Sequence, residues 1–545
     1  MPDRLPRDLA LRGLANRIDA LLSPWRGAGP GVSLGVVRGA ELVALHHAGM
    51  ASVEHAVPIG PDTRFRIASV SKQFTCAAVL LLAERGLLDI AAPVRSLLPE
   101  LPEAYAAVTV AQLMQNTAGI RDMLEIMRFG GADLGTPVTA EQLMAGICRQ
   151  QALNFAPGTR FLYSNSNFFL LGRIVEHIAG EALATFLDRE FFSPVGMTAT
   201  LHTPDLRVPI PGLASGYVMA EGGMIRAPHG FTLGGEGGLV STVSDLALWA
   251  VNARERAVPG PAVLRGLETL TPFPDGAEAV YARGLIRRAY RGVETISHGG
   301  LWPGYRTEYL RAPGHDVAVI AIANSGVIDP NALAHRVLDM LLDRAGVMPL
   351  PRLPADAALP APGSYVNEAT GETLDIAVGE AGGVTLTTYG QAVAAEATAD
   401  GWLGVPRSST VLAVRAAGPG EVEVRQDAGI VATWRRAEQG AELADDLADD
   451  LADDLPGLYA SAEMATRWEI TRQRAAVTLT ATGPAVTGPA WEVAAVTSRD
   501  IRAFVPGTLW RMWFDIRIER DAAGRIVALT AHGGRAKAVR FLRQG

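Results

Sequence analysis

The sequence predicts a multidomain chain, an α/β (α+β) domain followed by two small β domains, and three observations predict it. Residues from about 10 to 345 alternate short strand-like runs with long amphipathic stretches, a mixture that belongs to one α/β or α+β domain. A proline-rich stretch from Pro349 to Pro362 then ends the helical patterns. Beyond it come short β-type runs with glycine turns, and that block occurs twice.

In the first block Val32 to Val37 reads as a strand, and after a turn so does Val43 to His46. Residues 70–86, 166–179 and 330–344 carry helical patterns, and His315 to Ile322 alternates like a buried strand. In the β blocks, Pro362-Gly-Ser-Tyr365 is matched by Pro456-Gly-Leu-Tyr459. Leu374-Asp-Ile376 is matched by Trp468-Glu-Ile470, and Val384-Thr-Leu-Thr387 by Val477-Thr-Leu-Thr480. Two units are too few for a solenoid, so the pattern reads as a duplicated small antiparallel barrel. Between them Leu-Ala-Asp-Asp repeats at 443, 447 and 451. Six aspartates in twelve residues read as a solvated spacer, with leucines four apart allowing a short helix. The expected boundaries are 1–345, a linker 346–361, a first barrel 362–438, an acidic linker 439–455 and a second barrel 456–545.

The 545 residues carry a net charge of −8 and no basic stripe, which speaks against nucleic acid. No apolar run is long enough for a bilayer, and Met1 to Asp8 lacks the apolar core of a signal peptide, so the expectation is a cytoplasmic protein off the membrane. Two cysteines, Cys76 and Cys148, make neither a disulfide framework nor a cysteine metal site. Of 49 basic residues only two are lysines, Lys72 and Lys537. In a chain that otherwise uses arginine, a retained lysine points to an amine that can lose its proton. Lys72 has the neighbourhood for that role, whereas Lys537 reads as a surface survivor.

That neighbourhood is Phe65-Arg-Ile-Ala-Ser69-Val-Ser-Lys72, leading into an apolar helix. Ser69 falls in the first turn and Lys72 one turn further on the same face. A hydroxyl is a poor nucleophile until a base takes its proton, and a lysine with a free pKa near ~10.4 is a poor base. Burial and the positive end of the helix dipole both disfavour the ammonium. A second constellation, Tyr163-Ser-Asn165, also opens a helix: Tyr163 can relay a proton, and Asn165 can hold a substrate amide or the lysine. A third is His298-Gly-Gly300, whose glycines allow close approach and whose N–H groups can face an oxyanion. His532-Gly-Gly534 repeats that tripeptide and reads as a turn.

The order Ser-x-x-Lys, Tyr-x-Asn, His-Gly-Gly resembles the penicillin-recognising serine hydrolases, which include class C β-lactamases, D-alanyl carboxypeptidases, esterases and D-aminopeptidases. Leu113-Met-Gln-Asn-Thr-Ala-Gly-Ile120 and Gly237-Gly-Leu-Val-Ser-Thr-Val-Ser-Asp245 resemble further segments of that family, over about residues 30 to 340. The resemblance implies a β-lactamase-like domain with a mostly antiparallel sheet flanked by helices. It implies an acyl-enzyme on Ser69, proton handling by Lys72 and Tyr163, an oxyanion site at the N–H groups of Ser69 and Gly300, and no metal or organic cofactor. Most relatives have Lys-Thr-Gly where this chain has His298-Gly-Gly300. Losing that lysine and hydroxyl weakens the hold on a substrate carboxylate, and His298 is expected to be a weaker, pH-dependent cation.

The order of parts is most similar to the D-aminopeptidase branch, which implies release of an N-terminal D-residue from a small peptide, an amide or an ester. In that branch a loop of the last barrel reaches the active site. The region that resembles it is Thr497 to Pro506, where Asp500 is the only acid; Asp500 or Glu236, in the run Gly234-Gly-Glu-Gly-Gly238, is then expected to hold the substrate ammonium. By residue type alone, each reads equally as an acid in a turn. An esterase or carboxypeptidase on the same fold, or a penicillin-binding sensor that is acylated without turnover, stay open as alternatives, and so does a homodimer.

Overall fold

The structure is a computed structural model that describes residues 7–133, 135–220, 222–342, 348–353, 357–379, 382–398, 400–405, 412–426, 430–437, 449–474, 476–506 and 512–545. Its centre is an antiparallel sheet in the spatial order Ile286–Tyr290, Val293–Trp302, Tyr305–Ala312, Val317–Ala323, Val32–Arg38, Glu41–Ala48. Val317–Ala323 does not alternate as expected: every residue of it is buried. The reason is that both faces are covered, which calls for an unbroken apolar run. One face packs on the helices Arg7–Leu22 and Pro330–Leu342 through Ile18, Val319, Leu333 and Val337. On the other, Ile320 and Ile322 join the main core with the helices Lys72–Glu84 and Val243–Glu255.

Lys72–Glu84 is buried from Lys72 to Leu82, so it is apolar almost all round rather than on one stripe. Asn165–Ala179 packs beside it and stops at Gly180, whose φ of 69° provides the left-handed cap. The helices begin at Lys72 and Asn165, and the turn that holds Ser69, just before the first, packs on the strand Val293–Trp302.

Among the described residues, two closed eight-stranded antiparallel barrels follow, Gly363–Val366 to Ile430–Arg436 and Gly457–Ser461 to Val539–Arg543. The repeated sequence marks the same joint in each. Tyr365 donates to the Ala361 carbonyl and Tyr459 to the Leu455 carbonyl, both at 2.8 Å. The glycines before them, with φ of 145° and 157°, lie against Arg436 and Arg543 from the closing strands, where a Cβ would meet the guanidinium at 2.7 and 3.2 Å.

The second barrel is built into the first domain. Phe129, at the end of the helix Met123–Phe129, stacks on Phe514 at 4.3 Å and lies 6.0 Å from Trp468, whose Nε1–H donates to the Phe129 carbonyl at 2.9 Å. Arg121 pairs with Glu463 at 2.7 Å. The first barrel meets the second through Arg502, which donates to Asp375 and Thr373, and through Asp515, which accepts from Thr373.

The acidic repeat differs from the expected solvated spacer. Its first part, up to residue 448, lies outside the described residues, but Asp449–Asp454 is a helix with Leu451 and Ala452 buried in the main core. Asp453 pairs with Arg472 and Asp454 with Arg520. Leu451 and Leu455, four apart, are therefore buried in that core, and Asp453 and Asp454 meet arginines of the second barrel.

Candidate active site

Ser69 lies in a tight turn, Ala68–Ser71, that runs directly into the helix Lys72–Glu84. Ala68 has φ 47°, a conformation that costs a residue with a Cβ and that aims the next side chain outward. Lys72 is fully buried. Its Nζ stands 2.9 Å from Ser69 Oγ, 3.0 Å from Asn165 Oδ1 and 2.6 Å from the Glu236 carbonyl oxygen. A neutral amine fits this set: two N–H bonds serve the two oxygens that can only accept, and the lone pair is left for the Ser69 O–H. Burial pulls the lysine down to about 7, helped by the charge of Arg535 and opposed by Glu236 and Asp122.

Asn165 is held in turn by Asp122. One carboxylate oxygen of Asp122 accepts from the Asn165 N–H at 2.7 Å and from its Nδ2 at 2.9 Å, which turns Oδ1 toward the lysine. The other caps the helix Met123–Phe129 by accepting from the N–H of Leu124. Tyr163 is buried, and its hydroxyl is hydrogen-bonded to Ser69. Its ring lies 5.0 Å from Lys72 Nζ and 4.8 Å from the Arg535 guanidinium. Burial nevertheless pushes the phenol up from its ordinary value, so it carries its proton at neutral pH.

The strand Ile286–Tyr290 pairs with Val293–Trp302 only as far as Ser297. From His298 onward that edge is bare, and His298, Gly299 and Gly300 line the same cavity as Ser69. Gly300 is required by close approach: a Cβ there would lie 2.2 Å from the Ile67 carbonyl oxygen, two residues before Ser69. His298 is not the pH-dependent cation expected from its residue type. Its Nδ1 is 2.6 Å from the Gly299 carbonyl, which can only accept, so Nδ1 carries the proton and Nε2 accepts from the Tyr281 hydroxyl at 3.0 Å. Burial, with Lys72 adding to it, holds the imidazole down at about 3.

The cavity measures about 530 Å³ and is walled by all three domains. Glu236 lines it, with Oε1 accepting from the Gly234 N–H at 2.8 Å and Oε2 without a partner among the described residues. Burial holds its carboxyl above the usual range. Asp500, the other expected acid, is not among the lining residues. It is buried at the junction of the barrels, where it accepts from Arg517 Nε at 2.8 Å and from the Thr497 hydroxyl at 2.8 Å. The second barrel reaches the cleft through Met512 and through the other His-Gly-Gly turn, which puts Gly534, Arg535 and Lys537 on the wall.

Asp122, which holds Asn165, and the cavity-lining Arg535, Lys537, Glu308, Asp329 and Glu125, the last a buried acid paired with Arg128 at 3.0 Å, are among the polar groups that sequence reasoning missed. The scarcity of lysine was a signal for Lys537, which here bonds Glu372 and the Tyr389 hydroxyl instead of facing bulk water. Among the described residues no group of three or more His, Cys, Asp and Glu side chains is arranged to hold a metal ion, and no helix is long and apolar enough to cross a membrane.

Together these elements define a class: an α/β domain in which a serine one turn before a buried amine faces the bare edge of a central antiparallel sheet. Residues 14–343 match the model of the Beta-lactamase family, and the chain belongs to that family. It is 29% identical over 310 residues to a D-aminopeptidase of Gluconobacter oxydans, covering 56% of this chain and 58% of that one. It is 30% identical over 339 residues to a D-aminopeptidase of Cereibacter sphaeroides, covering 62% of this chain and 63% of that one. The matches thus span about three-fifths of those relatives. Among solved structures, the octameric penicillin-binding protein homologue from Pyrococcus abyssi superposes with a TM-score of 0.54 at 19% identity, over 99% of this chain and 100% of that one. The D-amino acid amidase from Ochrobactrum anthropi gives 0.53 at 24%, over 62% and 99%. These two show likeness of fold.

Proposed function

We propose that this protein is a serine hydrolase that releases an N-terminal D-residue from small peptides, amides or esters through an acyl-enzyme on Ser69. The observation that carries the reading is a fully buried Lys72 amine, held at about 7, in contact with Ser69 Oγ at 2.9 Å. The D-aminopeptidase relatives support the choice of substrate.

Ser69 Oγ attacks the substrate carbonyl and its proton passes to neutral Lys72. The oxyanion accepts from the Ser69 N–H and from a backbone N–H on the bare edge of Val293–Trp302; the expected Gly300 is not that group, because the register sets it opposite Thr307 and turns its N–H toward that strand. Collapse expels the amine, which takes a proton from Tyr163, and the Lys72 ammonium restores that proton. The high pKa of the phenol assigns it this relay and leaves Lys72 as the base. Water then attacks the ester, giving one proton to the lysine, and the acid leaves as Ser69 recovers its own. Glu236 holds the substrate ammonium: it lines the cavity and forms no ion pair with an arginine among the described residues, whereas Glu125 pairs with Arg128 at 3.0 Å.

The test is turnover of D-alanine p-nitroanilide by the wild type, Ser69→Ala and Glu236→Gln. The reading expects repeated turnover, none in Ser69→Ala, and a loss of about ten- to a hundredfold in Glu236→Gln that disappears with an N-acetylated substrate. Turnover confined to simple esters would favour an esterase, and a single stoichiometric acylation would favour a sensor.

A further inference from the structure

The second-barrel turn that enters the cleft brings a cation where an acid was expected. Its backbone is clamped to the first domain: the Arg535 carbonyl accepts from the Asp122 N–H and from Asn154 Nδ2, both at 3.1 Å, and the Lys537 N–H donates to Asn154 Oδ1 at 2.8 Å. Gly533 makes the approach possible, since a Cβ there would lie 2.5 Å from Glu125 Oε2. A turn held by three hydrogen bonds fixes the point on the cavity wall from which the Arg535 side chain departs.

That side chain is unusual among its neighbours. Arg121, Arg128, Arg502 and Arg517 each pair with a carboxylate at 2.7 to 3.0 Å. The Arg535 guanidinium makes no hydrogen bond to a described residue. Its nearest carboxylate oxygen, on Asp122, is 4.0 Å away and already accepts twice from Asn165. It is 39% exposed, and the exposed part faces the cavity. A planar fork of five donors so presented matches a carboxylate bidentately.

Its place says which carboxylate. Arg535 lies over the ring of Tyr163, whose hydroxyl is at Ser69. In the mechanism above Tyr163 protonates the departing nitrogen, so the guanidinium flanks the leaving group. An amino acid leaving as an amine carries its carboxylate carbon two bonds from that nitrogen. We propose that Arg535 binds the free α-carboxylate of the leaving residue, so that the preferred substrates are dipeptides with a D-residue first and an unblocked C-terminus. The carboxylate grip missing from His298-Gly-Gly300 is thereby supplied by another domain. The proposal rests on the hydrolase reading of Ser69.

The experiment compares D-Ala-Gly with D-Ala-Gly-amide, using the wild type, Arg535→Gln and Arg535→Lys. The wild type is expected to prefer the free acid in kcat/KM by about ten- to a hundredfold. Arg535→Gln loses that preference by losing several-fold more on the acid than on the amide, the smaller common loss reflecting the charge that Arg535 no longer lends to keeping Lys72 neutral, and Arg535→Lys keeps part of the preference. Equal rates on the two substrates in the wild type would overturn the proposal. So would equal losses on both in Arg535→Gln, which would make Arg535 an electrostatic support of Tyr163 and Lys72. A calorimetric arm separates this from the hydrolase reading. Ser69→Ala should bind D-Ala-Gly more tightly than its amide, and Ser69→Ala/Arg535→Gln should bind them alike. Preference in binding without turnover in the wild type would overturn the hydrolase reading and uphold the subsite; no preference in binding overturns the subsite.

Discussion

The two His-Gly-Gly runs have the same three residues and opposite uses, and both end at one cavity. His298-Gly-Gly300 belongs to a strand of the central sheet, and its glycine lets that strand lie against the backbone of the Ser69 turn. His532-Gly-Gly534 closes a hairpin of the second barrel, and its glycine lets the hairpin lie against Glu125. Burial keeps both imidazoles neutral, at about 3 and about 4. A short motif therefore fixes a local capacity, close approach of backbone, and the tertiary neighbours decide what it approaches. The first run is anchored by a core sheet, and the second by domain docking.

Breaking the docking should have the largest effect. Phe129→Ala removes an aromatic shared between the first domain and the second barrel, and should cost about 3–5 kcal/mol measured by chemical denaturation. It should also abolish the preference for free-acid dipeptides, because Arg535 is no longer delivered. Breaking the strand comes next. Gly300→Ala must move either the strand or the Ile67 carbonyl, and should lower kcat on D-alanine p-nitroanilide by about a hundredfold or more. Gly534→Ala, whose Cβ would find its nearest neighbour, Tyr389, at 3.6 Å, should stay within about threefold. Equal losses in the two would erase the distinction between the runs.

Two smaller effects sharpen it. Burial opposes the charge of Glu372, but Lys537, with His532 and Tyr389 behind it, overcomes this and holds the carboxyl at about 2. A depressed carboxylate stabilises the fold above its ordinary range near 4.5, and that contribution fades as pH falls toward 2. Lys537→Met should cost about 3 kcal/mol at pH 7 and flatten stability between pH 4.5 and 2, followed by melting temperature. Asp500→Asn should cost about 1–2 kcal/mol by loosening Arg517, and leave kcat/KM within about twofold. A selective loss on free-amine substrates would return Asp500 to the cleft.

The parts of this molecule that could be read in its sequence are those fixed by short-range spacing. Ser69 and Lys72 share one helical turn, Tyr163 and Asn165 open one helix, and the barrel repeat shows as matched tyrosines and strand cores. The two barrels and the α/β domain followed from periodicity for the same reason. Contacts between domains left no such trace. Asp500 is the only acid of its segment, but an acid in a barrel can serve an arginine across a junction as readily as a ligand. Arg535 lies more than 450 residues from Ser69 in the chain, and only the docking of Phe129 and the Asn154 clamp brings it to Tyr163. Lysine scarcity pointed to a buried amine at 72, and the same reasoning applied to 537, where a bonded position in the cleft wall was read as surface.

The central claim is that Lys72 works as a neutral amine. Its pKa lies below that of free lysine, so the basic form grows as pH rises through about 7. The acid limb of kcat, measured at saturating D-alanine p-nitroanilide so that titration of the free substrate's own α-amine does not enter, should therefore have its midpoint near 7, with a plateau above it, and Lys72→Arg should be inactive at every pH because arginine stays protonated. A limb near the ordinary lysine value of ~10.4, or a profile flat down to pH 5 with Lys72→Arg still turning over, would contradict the account.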